Sequence, residues 1–291
     1  MTRQFAWALL CCLAACGGSA ADTHSDPTDE TLQRQINAGR LALQLERPEE
    51  AVARYQDALE RAQERDDLAA IADQGYNLAV AELEANHPDK ALEVARSTDQ
   101  EVKRRGGTPF AGLTLVEATA LYRTGDLDAA DELAKKVTAS GDSEAAARAT
   151  FLGGLIADDH GDEAGLAAAT QALKASTDPS LQADAKELEA RLSLRQKSFA
   201  AAQEDAEQAA ELRQKTLDYR GMARALAVAG EAANDAGDAK AASDLYLRAG
   251  RSAAAQGDVD LARKWLEESA RLATADSVRN EANELLKSLG S

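Results

Sequence analysis

A recurring glycine–aspartate turn limits the possible folds of this chain more than any other sequence feature. The pair separates two runs of helix-forming residues at Gly125-Asp126, Gly161-Asp162, Gly237-Asp238 and Gly257-Asp258. Glycine readily adopts the left-handed backbone conformation that ends a helix, and aspartate accepts hydrogen bonds from the free N–H groups that begin the next. Prolines at 48 and 88 stand at corresponding points nearer the N-terminus, where the first helical position tolerates a missing N–H. The pattern predicts a series of helical hairpins.

The spacing of apolar residues indicates the same secondary structure. Val52, Tyr55 and Leu59, like most other apolar residues after position 30, recur every three or four residues. No segment shows the sustained two-residue alternation that is typical of a half-buried strand. We therefore predict an all-α fold of fourteen helices in seven antiparallel pairs, in which a last helix at Ser277–Leu289 covers the open apolar end.

Small residues recur at two fixed places in these predicted pairs. The second helices carry the sets Ala51-Tyr55-Ala58, Ala91-Ala95-Thr98, Ala130-Ala134-Val137, Leu166-Thr170-Leu173, Ala202-Ala206-Ala209, Ala242-Tyr246-Ala249 and Ala262-Leu266-Ser269. Twelve residues before each set stands Gly39, Ala79, Ala118, Gly154, Ala190, Gly230 or Gly250. Small residues at both places allow two helices to approach closely, while a bulky residue fills the space between neighbouring pairs.

This pattern resembles the tetratricopeptide repeat (TPR) family, whose helix pairs carry small residues at the same relative places. The resemblance implies a right-handed α-solenoid over residues 31–291, with the first helix of each pair lining a concave groove. The last two registers are only 20 residues apart, so the helix around residues 239–255 fits either of two pairs. An irregular helical bundle with alanine-rich interfaces is the alternative fold.

Residues 1–15 resemble a bacterial lipoprotein signal peptide. Arg3 precedes an apolar run, Phe5–Leu13, which is shorter than the about 20 apolar residues of a membrane-spanning helix. Leu13-Ala14-Ala15-Cys16 resembles the lipobox, which implies cleavage before Cys16 and a covalent lipid on its thiol. Cleavage after Ala20 or Ala21, as in ordinary secretion, and a structural role for Cys16 are the alternatives.

Residues 16–30 lack large apolar side chains, which predicts a flexible tether with an average reach of about 20 Å. Gly17 follows the lipobox cysteine; in the lipoprotein family an aspartate at that place tends to retain the protein at the inner membrane. The resemblance therefore implies the periplasmic side of the outer membrane, with the inner membrane and the cell surface as alternatives.

The cysteine content and the charge limit the possible partners. Of the three cysteines, Cys11 and Cys12 would leave with the signal peptide and Cys16 would carry lipid, so no thiol remains for a disulfide, a metal or catalysis. Fifty acidic residues against 33 lysines and arginines give a net charge of −17. This excess argues against nucleic acid and anionic lipid surfaces, which require clustered basic residues, and favours basic or neutral partners.

The sequence carries no pattern typical of an enzyme, and we expect no catalytic residues, no metal and no cofactor beyond the lipid. The three histidines, His24, His87 and His160, have no second ligand at metal spacing. The acidic segment at residues 158–163 does not match a calcium loop, and it coincides with a Gly-Asp turn. No phosphate-binding loop and no nucleophile–base signature is present.

The groove of the predicted solenoid is therefore the candidate site, and an envelope protein or peptide is the expected partner. Placing each first helix by its small residue directs a set of polar and aromatic side chains toward the groove. They are Arg40, Gln44, Tyr76, Glu84, Tyr122, Arg123, Arg148, Asp158, Arg191, Arg195 and Arg224. The expected function is a membrane-anchored scaffold or adaptor; the alternatives are a module that binds a glycan or small molecule and a self-associating structural protein.

Overall fold

The structure, a computed structural model, describes residues 29–108 and 110–290. Within those two ranges the chain forms fourteen helices and no strand, which confirms the predicted all-α fold. They are α1 (Glu30–Gln44), α2 (Pro48–Glu64), α3 (Leu68–Glu84), α4 (Pro88–Arg104), α5 (Ala111–Thr124), α6 (Leu127–Thr138), α7 (Ser143–His160), α8 (Glu163–Leu173), α9 (Pro179–Arg195), α10 (Phe199–Lys215), α11 (Tyr219–Asp235), α12 (Ala239–Ala255), α13 (Val259–Leu272) and α14 (Asp276–Ser288).

The predicted N-terminal features lie outside the described residues. These are the signal peptide 1–15, the lipidated Cys16 and the tether as far as residue 28. In the part of the chain that the structure describes, no helix combines the length and the apolar character needed to cross a membrane.

The helix ends follow the predicted turn chemistry. Gly125 and Gly161 adopt left-handed backbone conformations, with φ of 88° and 74°, directly after α5 and α7. The next residues, Asp126 and Asp162, accept hydrogen bonds from the backbone N–H groups at the start of α6 and α8. Prolines begin α2, α4 and α9. The same local chemistry therefore closes one helix and opens the next at both Gly-Asp turns. Other turns place a non-glycine residue, such as Asn86 or Leu217, in the left-handed conformation.

Small residues lie where consecutive helices cross. A Cβ atom placed on Gly39 would stand 2.9 Å from the ring of Tyr55, and one placed on Gly230 would stand 3.2 Å from the ring of Tyr246. Those distances leave little or no room for a side chain, so glycine permits the close packing of α1 on α2 and of α11 on α12. The predicted register of small and bulky residues thus corresponds to real helix crossings.

The odd-numbered helices from α3 to α11 form one wall of the solenoid. Besides packing on its sequence neighbours, α3 contacts α5, α5 contacts α7, α7 contacts α9 and α9 contacts α11. The even-numbered helices between them lie on the outside of the curve. Side chains that point inward from α3, α5, α7, α9 and α11 therefore face one another across the concave surface.

The register changes at the C-terminal end. Helix α12 packs on α11 as the second helix of a pair, and it also packs on α13 and α14 as though it were a first helix. A Cβ atom on Gly250 of α12 would lie 2.6 Å from Leu266 of α13, which repeats the close crossing of the earlier pairs. Both assignments of residues 239–255 are therefore realised at once, and α14 covers the end by packing Leu285, Leu286 and Leu289 around Leu266.

Candidate binding groove

Seven of the eleven predicted groove residues lie on or beside the concave wall, between the end of α3 and the start of α11. They are Glu84, Tyr122, Arg123, Asp158, Arg191, Arg195 and Arg224. Four of them, Asp158, Arg191, Arg195 and Arg224, form a connected polar network with Asp184 and Glu187 of α9 and Arg213 of α10. The other four predicted residues are placed away from this part of the wall. The arrangement concentrates guanidinium and carboxylate groups in a surface that is otherwise built on alanine and leucine.

A single carboxylate lies at the centre of the network. Glu187 of α9 has no exposed side-chain surface, and it accepts hydrogen bonds from Arg191, Arg213 and Arg224 at 3.1, 2.8 and 2.6 Å. Burial acts to raise the pKa of Glu187, but the three guanidinium groups outweigh burial and hold that pKa well below its usual range. Glu187 therefore stays ionised and fixes the three arginines.

Arg213 connects this centre to the turn before α11. Its guanidinium donates to Asp184 at 2.8 Å and to Asp218 at 2.5 Å, and the side chain is 5% exposed. Burial raises the pKa of Asp184 to about 6 in spite of the adjacent Arg213, which it shares with two other carboxylates. The ring of Phe151 lies 5.3 Å from the guanidinium carbon of Arg213 and 5.4 Å from that of Arg224, which adds cation–π contacts.

Asp158 organises the neighbouring edge of the groove. It accepts from Arg191 at 2.9 Å and from Arg195 at 2.5 Å, and its backbone carbonyl accepts a second bond from Arg195. Its neighbour Asp162 caps α8. The acidic segment at 158–163 thus provides an arginine contact and a helix cap. In the described ranges no three His, Cys, Asp or Glu side chains are grouped as a metal site.

Tyr122 faces this network from α5. Burial and the nearby charge of Asp159 raise the pKa of Tyr122 to about 12, so its hydroxyl is protonated at neutral pH. Asp159 and Glu231 are exposed carboxylates on α7 and α11. The groove thus offers an aromatic ring, fixed guanidinium groups and two exposed carboxylates within one short stretch of its wall.

The remaining four predicted residues are placed differently. Arg40 and Gln44 are exposed on α1, at the N-terminal end of the solenoid. Arg148 is exposed at the start of α7 and pairs with Glu144 at 3.1 Å. Tyr76 packs edge-on against Phe110, with ring centroids 5.3 Å apart, and contributes to the packing of α3 on the segment before α5.

Sequence reasoning missed Glu187, Asp184, Arg213, Phe151 and Arg220. A signal for Glu187 was present in the register, because it stands three residues before the small residue Ala190. The corresponding residues of five other first helices are Ile36, Tyr76, Leu115, Phe151 and Ala227, all of them apolar or aromatic. A glutamate at that place requires buried cationic partners. No comparable signal marks Arg213 or Arg220, because their partners lie on other elements.

Comparison with solved structures identifies the fold. A tetratricopeptide repeat sensor protein from Pyrococcus horikoshii, a signal transduction ATPase with numerous domains, aligns over 89% of this chain and 42% of its own, with a TM-score of 0.52 and 16% identity. The chain has a TPR-like fold. The predicted α-solenoid of seven helix pairs is thereby confirmed, with the change of register at α12 as its irregularity.

Two further structures are similar at low identity. The apo form of the quorum sensor NprR from B. thuringiensis aligns over 89% of this chain and 86% of its own, with a TM-score of 0.56 and 10% identity. A tetratricopeptide repeat protein from Parabacteroides merdae aligns over 90% and 99%, with a TM-score of 0.47 and 14% identity. No protein-family model matches the sequence, and comparison with curated proteins finds no match.

Proposed function

We propose that this protein is a non-catalytic scaffold that binds a partner protein or peptide on the concave surface between α3 and α11. One observation carries the proposal: Tyr122, Arg191 and Arg224 converge on that surface from three different helices. Tyrosine and arginine are the side chains that most often anchor protein interfaces. Because Glu187 already fixes the arginines, these arginine side chains would lose little conformational entropy when a partner contacts them.

The proposal includes attachment to a bacterial membrane through a lipid on Cys16. Its support is the sequence alone, namely the lipobox-like Leu13-Ala14-Ala15-Cys16 after a short apolar run, and Gly17 favours the outer membrane. A tether of the predicted length would keep the solenoid near the membrane surface while leaving it free to tilt. The partner would then be another envelope protein.

Site-specific photocrosslinking in living cells tests the proposed surface. Benzoylphenylalanine would replace Asp159 or Glu231, which are exposed in the groove and bear no arginine contact of the network. The matched control places it at Glu204, an exposed carboxylate on the outer helix α10. We expect both groove positions to crosslink one recurrent protein that Glu204 does not, as identified by mass spectrometry. The same products from all three positions, or none from the groove, would refute the assignment.

A second arm tests the anchor separately. Cys16→Ala removes the proposed lipid attachment site without touching the described fold. We expect the variant to leave the membrane fraction and to lose most of the groove crosslink, because the partner is held at the membrane. Membrane association that survives in Cys16→Ala would contradict lipid anchoring and leave the groove assignment standing.

A further inference from the structure

One contact joins two parts of the solenoid that are far apart in sequence. Arg220, the second residue of α11, donates from Nε to the Glu84 side chain at 3.2 Å, and the two residues are 136 positions apart. Nη2 of the same guanidinium donates to the backbone carbonyl of Glu84 and, at 3.0 Å, to that of Gln256. We call Glu84, Arg220 and Gln256 the latch.

The latch is surrounded by further contacts with the end of α3. Arg123 of α5 donates to the Leu83 carbonyl at 2.6 Å and to Asn86 at 2.5 Å. On the other side, Asp258 lies 4.0 Å from Arg220. Arg123 and Arg220 therefore both donate hydrogen bonds to the last turn of α3. The carbonyl groups of a last turn lack helical partners, and the helix dipole favours positive charge there.

Both charges of the latch stand against the preference of their own helices. Arg220 lies in the first turn of α11, where the helix dipole favours a negative group, and Glu84 is the last residue of α3, where it favours a positive one. Local helix stability would be better served by the opposite charges. A sequence that breaks a local rule at two places which meet in space indicates that the contact itself matters.

The contact also changes the topology of the groove. The extensive contacts between the described helices join sequence neighbours or helices two apart, as in an open solenoid. The latch joins the second helix pair to the sixth, and so it closes the curve formed by α3, α5, α7, α9 and α11. Tyr122, Arg191 and Arg224 lie on the helices within this closed curve.

The latch is weaker than the network inside it. The side chains of Arg220 and Glu84 are 21% and 50% exposed, whereas Glu187 is fully buried. An ion pair in water contributes little, because solvent and salt screen it. The latch is therefore the place where the solenoid can open without loss of its helices.

We propose that the latch is an autoinhibitory contact, which holds the solenoid closed and must open to admit a partner to the concave surface. The proposal rests on the proposed function in one respect, namely that the partner binds on the concave surface. Closure itself can be measured without a partner, so the two ideas fail separately.

Pulsed electron paramagnetic resonance on the full chain tests closure. Cys11, Cys12 and Cys16 would be replaced by serine, and nitroxide labels attached at Asp89→Cys on α4 and Gln214→Cys on α10, both exposed and on opposite sides of the latch. We expect a single narrow distance distribution for this protein. Arg220→Glu should shift the mean distance by several ångströms and remove the narrow peak, and 1 M salt should broaden it.

Two variants make the test specific. The exchange Glu84→Arg with Arg220→Glu should give a narrower peak than Arg220→Glu alone, because it re-forms the charge pair and gives each helix its preferred terminal charge. It should not restore the peak fully, because a glutamate cannot donate to the backbone carbonyls of residues 84 and 256. Arg96→Glu should leave the peak unchanged, because it breaks an ion pair between the adjacent helices α4 and α5. A narrow peak that persists in Arg220→Glu, or one that is lost equally in Arg96→Glu, would overturn the proposal.

A milder variant covers the case in which Arg220→Glu loses helicity. Arg220→Gln removes all three guanidinium bonds and adds no charge, and we expect it to broaden the distribution with an unchanged circular dichroism spectrum. It should also increase the crosslinking yield at Asp159 several-fold. An unchanged distribution in Arg220→Gln would refute the latch even if the groove positions crosslink a partner.

Discussion

The buried carboxyl of Asp184 makes the free energy of unfolding depend on pH. Burial raises its pKa from 3.8 to about 6, so the folded protein binds more protons than the unfolded chain between those values. The free energy of unfolding therefore falls as the pH rises from about 4 to about 6, by about 3 kcal/mol from this group at 1.36 kcal/mol per pKa unit. In Asp184→Asn this fall should be absent, and urea unfolding followed by circular dichroism from pH 4 to 7.5 measures it.

Comparing Asp184→Asn with the parent protein separates the effect of Asp184 from that of the other titrating groups. Glu187 has a lowered pKa, and its stabilising contribution is lost only as the pH falls below the usual range of a glutamate. It is present in both proteins and cancels in the difference. The control is Asp260→Asn, which removes an exposed carboxyl on α13. A difference in unfolding free energy between Asp184→Asn and the parent that does not grow with pH would contradict this account.

At the scale of the helix, most of the fold was predictable because its signals are local. Gly125-Asp126 and Gly161-Asp162 carry the chemistry of both helix ends within two residues, and Pro48 and Pro88 mark helix starts by themselves. The groove network was less predictable. The register placed Arg191 and Arg224 on the concave wall, but it did not show that they share Glu187 with Arg213, because that arrangement depends on how separate helices meet.

Leu217 is one of five non-glycine residues that adopt a left-handed backbone conformation in the described ranges. It has φ of 61° between α10 and α11 and its side chain is 70% exposed, so it combines backbone strain with apolar exposure. Leu217→Gly should raise the free energy of unfolding by about 0.5–1 kcal/mol, because relief of the strain exceeds the entropy that glycine adds to the unfolded chain. Thermal or urea unfolding at neutral pH measures the change.

The matched change is Gly237→Ala in the turn before α12. Gly237 has φ of 84°, and a Cβ atom there would meet no other atom within 4 Å. Any loss of stability must therefore come from the backbone conformation and not from a clash, and we expect a loss of about 1 kcal/mol. If both substitutions changed stability in the same direction, the strain argument would not hold.

At the scale of the whole molecule, the latch alters how a local defect should spread. In an open solenoid each repeat is stabilised only by its neighbours, so the effect of a cavity fades along the chain. A closed solenoid offers a second route, because Arg220 bonds both Gln256 at the end of α12 and Glu84 at the end of α3. The sequence did not indicate this route, because Glu84 and Arg220 are 136 positions apart and a charge that opposes the dipole of its own helix does not reveal which residue it contacts.

Leu266→Ala distinguishes these two behaviours. Leu266 is fully buried among Leu247, Ala282 and the leucines of α14, and its truncation should lower stability by about 2–5 kcal/mol. We expect amide hydrogen exchange to accelerate in α12–α14. Through the latch it should also accelerate at Asn86 and His87, whose N–H groups bond the last turn of α3, while α5–α9 remain protected.

The control for this experiment is Leu166→Ala, an equally buried leucine in α8, far in sequence from both halves of the latch. It should accelerate exchange in α7–α9 and leave Asn86 and His87 protected. If Leu266→Ala instead accelerated exchange progressively through α11, α9 and α7 without reaching the end of α3, the molecule would behave as an open solenoid. Accelerated amide exchange at both ends of the latch, with the helices between them still protected, requires a closed solenoid. The reason is that the contact across the groove connects those two regions directly.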